Sequence, residues 1–250
     1  MSRVRPLQGV PALLLSLKEK VVCIADLHLG YELELIDSGF NIPDQTSRIA
    51  ESIVGIEEGD RLIILGDVKH TIPYTTRFES IRLSRFFKLL QERYSAITVV
   101  TGNHDGALRK SLPKDVEIVP AKGLSIASIG FSHGHSWPSE EVMGSRTLII
   151  GHIHPSLRLR DRLGAKNSLK CWLRGTIHKK PLCKRYREIG ISETVIMPAY
   201  NPLLTGTAVN EGSNYELSPL LRSKAISIEE QKAYTLEGVC LGRVSDLMVR

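Results

Sequence analysis

The sequence predicts an α/β fold in which two β-sheets are layered together and flanked by helices. Short runs rich in Val and Ile recur at residues 21–25, 62–65, 97–101, 116–119, 124–131, 147–150 and 194–197. Two amphipathic helical patterns separate the first three runs, and beyond about residue 116 the pattern turns mostly to strands. Several runs also end in clusters of Asp, Asn and His, where an open α/β sheet places its binding sites.

Each element has a local reason. Residues 12–17 and 21–25 are apolar and are split by Lys18-Glu19-Lys20, which reads as a β-hairpin. The first helix follows Pro43-Asp44, with Asp44 as N-cap, and places Ile49, Ile53 and Ile56 at i, i+4, i+7. The second begins near Thr75-Thr76 and carries Leu83, Phe87, Leu90 and Tyr94 on one stripe. From Tyr200-Asn201-Pro202 to Pro219 the composition is that of a loop, and 233–241 closes the chain as a strand or hairpin. No boundary divides the chain, so a single domain over 1–250 is expected. It has core motifs in 21–155, a basic stretch at 157–187 and a C-terminal extension over about 200–250.

Composition excludes several classes. With 42% hydrophobic and 24% charged residues, the chain has ordinary soluble globular character. The most apolar early stretch, 10–17, falls far short of the ~20 residues a membrane span needs. It has no small-residue cleavage site, so neither a span nor a signal peptide is expected, and the location is read as cytoplasmic. Cys23, Cys171, Cys183 and Cys240 form no CxxC pair and read as reduced thiols, Cys23 as a small hydrophobe within a strand. Net charge is +6, yet 157–187 alone holds eleven Lys/Arg and one Asp, which leaves the remaining chain net negative. Such a stretch is either a solvated face or a polyanion-binding surface.

The strand ends carry the chemistry: Asp26-Leu27-His28, Gly66-Asp67, Gly102-Asn103-His104-Asp105, His133-Gly134-His135 and Gly151-His152-Ile153-His154. Six of the eight histidines lie in these clusters. In extended chain, residues two apart point the same way, so Asp26 with His28, and His152 with His154, are expected to present ligands in pairs. The glycines at 66, 102 and 151 allow tight turns and close backbone approach. Carboxylate, imidazole and one amide, without thiolate, suit Mn²⁺, Fe or Zn²⁺ rather than Ca²⁺. The set is larger than one ion needs and fits two ions sharing a bridging carboxylate.

In order and spacing, D-x-H, GD, GNHD, HGH and GHxH over residues 21–155 resemble the calcineurin-like metallophosphoesterases. The resemblance implies a four-layer α/β/β/α sandwich with the active site at the strand carboxyl ends and a dinuclear centre. Carried over, one ion falls to Asp26, His28 and His154, the other to Asn103, His133 and His152, with Asp67 bridging. Mn²⁺ is the first expectation, with Fe, Zn²⁺ or Ni²⁺ as alternatives. Ala25-Asp-Leu-His-Leu-Gly30, Gly66-Asp-Val-Lys-His70 and Pro198-Ala-Tyr-Asn-Pro202 are similar to the branch that includes bacterial ligase-associated DNA-damage-response phosphoesterases. A helicase or ligase partner follows from that resemblance alone.

The implied reaction is attack by a water activated between two ions, with His104 as general acid. Many relatives carry GDxxD, whose second Asp orients the catalytic His; here that position is His70. Asp105, or a group not evident in the sequence, must then orient His104. Lys69 and His70, beside Asp67, are expected to face substrate, as are Arg158 and Arg160 in the basic stretch. His135 either lines the site or caps a turn. His178 reads as surface, and Trp137 and Trp172 as core or loop anchors. The substrate expected is a phosphodiester, in DNA or RNA; the alternative is a small or cyclic-nucleotide diester. A non-catalytic scaffold ranks last because no ligand is missing.

Overall fold

The computed structural model describes residues 3–72, 76–162, 164–212 and 218–249. The amino-terminal half builds a six-stranded sheet in sequential order: β1 (Arg3–Pro6), β2 (Leu13–Ser16), β3 (Lys20–Ala25), β4 (Arg61–Leu65), β5 (Ala96–Val100) and β6 (Glu117–Val119). The first two strands are antiparallel arms, with β2 and β3 forming the expected hairpin, and β3 through β6 run parallel. Helices α1 (Tyr31–Asp37), α2 (Thr46–Val54) and α3 (Arg77–Arg93) fill the crossovers.

The caps show why these helices begin where they do. Gln45 occupies the N-cap of α2, and Asp44 Oδ1 accepts from Thr46 N at 2.9 Å, so Asp44 serves the helix from one residue outside it. Thr76 closes a capping box with Glu79 at the start of α3; Thr75, the other expected start residue, lies outside the described residues. Ile49, Ile53, Leu83, Phe87, Leu90 and Tyr94 are all buried against the sheet. Sequence reading missed α1 because Tyr31-Glu-Leu-Glu-Leu alternates apolar and acidic residues, a strand period.

A seven-stranded sheet forms the other half. Its strands are β7 (Leu124–Ile126), β8 (Ile129–Ser132), β9 (Thr147–Ile150), β12 (Trp172–Gly175), β13 (Glu193–Ile196), β15 (Lys232–Tyr234) and β16 (Cys240–Arg243). Two more elements, β10 (Pro155–Arg160) and β11 (Lys166–Lys170), make an antiparallel ribbon with the short parallel β14 (Thr207–Ala208). The run at 124–131, expected as one strand, is a hairpin turned by Ala127 and Ser128, both at positive φ. The closing 233–241 segment is the β15–β16 hairpin, and the loop expected over 200–219 contains β14; residues 213–217 of it are not described.

Three apolar layers hold four structural ones together. Cys23, Ile63, Leu65 and Val100 on one sheet meet Phe131, Ile149, Trp172, Val195 and Met197 on the other. The first sheet's outer face packs on α2 and α3. The second sheet's outer face is covered by α4 (Glu140–Met143), α5 (Pro219–Arg222) and loop residues such as Ile177, Leu182 and Tyr186. This is the α/β/β/α sandwich. Cys23 is buried as expected, and all four cysteines are free. Among the described residues no helix is long and apolar enough to cross a membrane.

Candidate metal centre

The parallel strands β3, β4 and β5 end in register, with Ala25 opposite Leu65 and Leu65 opposite Val100. In the second sheet Ser132 at the end of β8 faces Ile150 at the end of β9. The chain leaves all five ends on the same side, so the Asp, Asn and His clusters converge at one edge of the sandwich.

Among the described residues three groups of donor atoms result, two that share Asp67 and one formed by His28, His70 and His104. Asp26, His28, Asp67 and His154 have ligand atoms within 4.8 Å of one another, and so do Asp67, His133 and His152. Asp67 belongs to both: its Oδ2 lies 3.4 Å from His28 Nε2 and 3.3 Å from His133 Nε2. Asn103 joins the second group, its Oδ1 standing 3.1 Å from His133 Nε2. The two halves of Gly151-His152-Ile153-His154 thus go to different groups. Extended geometry does not bring the ligands together as expected from sequence. Asp26, His28, Asp67, His152 and His154 all have positive φ, between 39° and 68°. Left-handed backbone at non-glycine residues costs roughly 1–3 kcal/mol each and persists only where the surroundings over-determine it. The chain turns sharply at each strand end, and this aims the side chains inward.

Glycine makes the closeness feasible. A Cβ at Gly66, itself at φ 72°, would collide with the His133 ring, and one at Gly102 would collide with the Asp67 carboxylate.

The electrostatics fit cations. Asp26 is fully buried and Asp67 nearly so. Burial alone would raise the Asp67 pKa, but the hydrogen bond and charge of His133 and the His104 N–H hold it well below the carboxylate range. Burial likewise opposes ionisation of Asp26, and the charge of His154 overcomes it. Burial depresses His28 to about 3 and His152 to about 4. His133 goes the other way, to about 9: burial disfavours its charge, but Asp67 and Asp26 outweigh that. The Nε2 atoms of His28 and His152 are buried without a hydrogen-bond partner among the described residues, and His154 Nε2 lies 3.1 Å from Asp26 Oδ1. The neutral imidazoles of His28 and His152, with inward-facing lone pairs beside ionised carboxylates, suit divalent ions as donors.

Around the donors stands a set of supporting contacts. His104 lies against the first group, its ring centroid 4.7 Å from that of His28. Its Nδ1 donates to the His70 carbonyl oxygen at 2.5 Å. Asp105, expected to orient or act with His104, does neither. Its buried carboxylate accepts from Val68 N at 2.9 Å and Gly102 N at 2.8 Å, so it ties together the loops after β4 and β5. His70 Nε2 meets Glu34 Oε2 at 2.6 Å and its Nδ1 meets His28 Nδ1 at 3.2 Å. With the His70 proton on Nε2 toward Glu34, His28 donates from Nδ1, which leaves His28 Nε2 free as a ligand.

Lys69, expected at the substrate face, is 1% exposed and donates to the Thr71 carbonyl, because the turn after Asp67 points it under the surface near Glu79. Arg158 and Arg160 are not brought to the centre either. Strand β10 leads away from His154, placing them about 13 and 20 Å along it at ~3.3 Å per residue. Arg158 is engaged by Ser168 and Glu211, and Arg162 lies past the strand end. His135 lines the second group, its ring 5.1 Å from His133 and 5.9 Å from His152. His178 is exposed beside Glu230. Trp172 is fully buried, and Trp137 anchors a loop under Arg185.

The residues 19–186 match the family of calcineurin-like phosphoesterases. The chain belongs to that family. This phosphoesterase is therefore a hydrolase of phosphoester bonds, in a family that implies divalent metal ions. Among solved structures it is similar to the nuclease MPE of Pseudomonas putida, with 17% identity and a TM-score of 0.55 over 94% of this chain and 98% of that one. It also matches the phosphoesterase YfcE from E. coli, with 12% identity and a TM-score of 0.39 over 89% and 97% of the two chains. The first likeness supports the fold. No curated protein sequence matches the phosphoesterase.

Two supports escaped sequence reading. Glu34 sits in the unforeseen α1. Asn201, in the Pro198-Ala-Tyr-Asn-Pro202 motif, is fully buried and its Nδ2 donates to the carbonyls of Leu27 at 2.8 Å and His28 at 3.2 Å. An Asn between an aromatic residue and Pro was its only sequence signal.

Proposed function

We propose that this phosphoesterase hydrolyses phosphodiesters, in nucleic acid, at a centre of two divalent ions. The observation that carries the reading is the position of Asp67 Oδ2 between His28 Nε2 and His133 Nε2, which gives two donor groups one shared carboxylate. Asp26, His28 and His154 would hold one ion, Asn103, His133 and His152 the other, with Mn²⁺ the first candidate and Fe, Zn²⁺ or Ni²⁺ the alternatives. The chemistry such ions supply when bound is Lewis acidity, which makes water nucleophilic near neutral pH and neutralises the phosphoryl charge.

The chain's own residues do the rest. His104, held through Nδ1 by the His70 carbonyl, keeps Nε2 for proton transfer and protonates the leaving oxygen, a contribution typically worth ~10²–10⁴ in rate. Asn201 and Asp105 fix the loops that carry Asp26, His28 and Asp67. A basic segment at 179–187 supports the nucleic-acid reading. Arg185 stacks 4.3 Å over Trp137, which follows His135 by two residues in the chain.

The test is metal-dependent hydrolysis of a bis-aryl phosphate, an aryl monophosphate, single-stranded and duplex DNA, and RNA. Cleavage of diesters, with DNA or RNA above the aryl diester in kcat/KM, supports the reading. Turnover of the monoester alone would overturn it. Turnover of the aryl diester without nucleic acid would favour a small-diester substrate.

A further inference from the structure

We infer that the groove beside His104 is the leaving-group subsite, and that it selects an alcohol bearing no phosphate, such as a terminal nucleoside. The inference rests on the phosphodiesterase reading above and specifies what lies on each side of the scissile phosphorus.

The groove has a volume of about 640 Å³, ample for one nucleoside. His104, the proton donor, lines it, so the departing oxygen must leave on this side. Its walls carry Glu34, Asp37 and Glu79 together with the apolar Leu33 and Ile72, the latter 53% exposed. No Lys or Arg is among its described lining residues. A strand continuing through it would set its next phosphate against these carboxylates, with no Lys or Arg on the described groove wall itself to answer them.

The chain that follows His135 leads to a segment rich in cations, though Glu140, Glu141 and Glu188 line a pocket with its Arg187. Beyond His135, Trp137 lies under the Arg185 guanidinium, and Tyr186 Oη donates to the Pro138 carbonyl at 2.9 Å. These contacts pin a segment whose Lys179, Lys180, Lys184, Arg185 and Arg187 are all exposed. A polyanionic strand would therefore end on the His104 side, with its phosphate-bearing part kept out of the groove. In the reaction water adds to phosphorus, the P–O bond to the groove-bound alcohol breaks, and His104 gives that oxygen its proton. The products are a phosphomonoester outside the groove and a free alcohol in it; on a nucleic acid strand this releases a terminal nucleoside.

The experiment uses methyl aryl phosphodiesters whose leaving phenols have matched pKa and carry a trimethylammonium, no charge or a sulfonate. The metal-loaded protein should favour the cationic and neutral phenols over the anionic one by about tenfold or more in kcat/KM. The variant Asp37→Lys, which reverses one charge of the groove wall at an exposed position, should shrink or invert that order. A dithymidine monophosphate should likewise lose activity when a phosphate is added at one end, the end that enters the groove, but not at the other. Equal rates for the three phenols, an order untouched by Asp37→Lys, or indifference to both terminal phosphates would overturn the subsite while leaving the phosphodiesterase reading intact. Failure to hydrolyse any diester would instead defeat that reading, and the subsite with it.

Discussion

His104 Nδ1 donates to the main-chain carbonyl of His70 at 2.5 Å, so a backbone atom orients the ring proposed as general acid. A side-chain carboxylate is not needed there, which accounts for a His in place of the second Asp of the GDxxD pattern. The His70 ring is released for another task, bridging Glu34 to His28.

His104→Ala should retain both ions yet lose about 10²–10⁴ in kcat for diesters with poor leaving groups. The loss should be much smaller for nitrophenyl leaving groups, which need little protonation. A series of aryl diesters of graded leaving-group pKa gives the slope; an equal loss across the series would exclude the acid role.

His70→Ala separates the two functions of that residue. Its carbonyl survives, so the leaving-group dependence should match the wild type. The His28 ring, however, loses the partner that fixes its proton on Nδ1. Affinity for the ion assigned to His28 should fall by roughly 10–100-fold, measured by competition with a chromophoric chelator. Unchanged affinity would remove the bridge from the account.

Asn201→Ala should destabilise the fold by about 1–3 kcal/mol, since the buried carbonyls of Leu27 and His28 lose their donor. Because both lie in the loop carrying Asp26 and His28, metal affinity should fall too. Urea unfolding with and without Mn²⁺ measures both effects, and a loss of stability with full metal affinity would make Asn201 purely structural.

The fold was legible because its strands are apolar, β-branched and interrupted by strong helical stripes at Ile49–Ile53 and Leu83–Tyr94. The donor residues were legible because Asp, Asn and His sit at strand ends. Their aim was not. Positive φ at Asp26, His28, Asp67, His152 and His154 is a property of tertiary crowding that residue identity does not announce. Nor does spacing reveal that a carbonyl at 70 reaches the ring at 104, or that the turn after Asp67 buries Lys69. The basic stretch read as one patch, but its strand leads Arg158 and Arg160 away while 179–187 folds back on Trp137.

Lys170 gives a pH signature in chelated protein. Its Nζ donates to the carbonyls of Ala199 at 2.9 Å and Asn201 at 2.5 Å. Burial depresses its pKa to about 8, though Asp26 partly opposes this. The folded pKa lies below the unfolded one, so between pH 8 and about 10.5 the unfolded chain binds more protons and stability rises with pH. Lys170→Met should flatten that rise in denaturant midpoints measured across the window. An equally steep rise in the variant would contradict the assignment.

A metal titration of the chelated protein, followed by hydrolysis of a bis-aryl phosphate, tests the two-ion centre joined by Asp67. Two ions per chain should bind, with activity appearing as the second site fills. Asp67→Asn should stay folded, hold fewer than two ions and lose activity. One ion sufficing for full turnover, or full turnover by Asp67→Asn, would contradict the account.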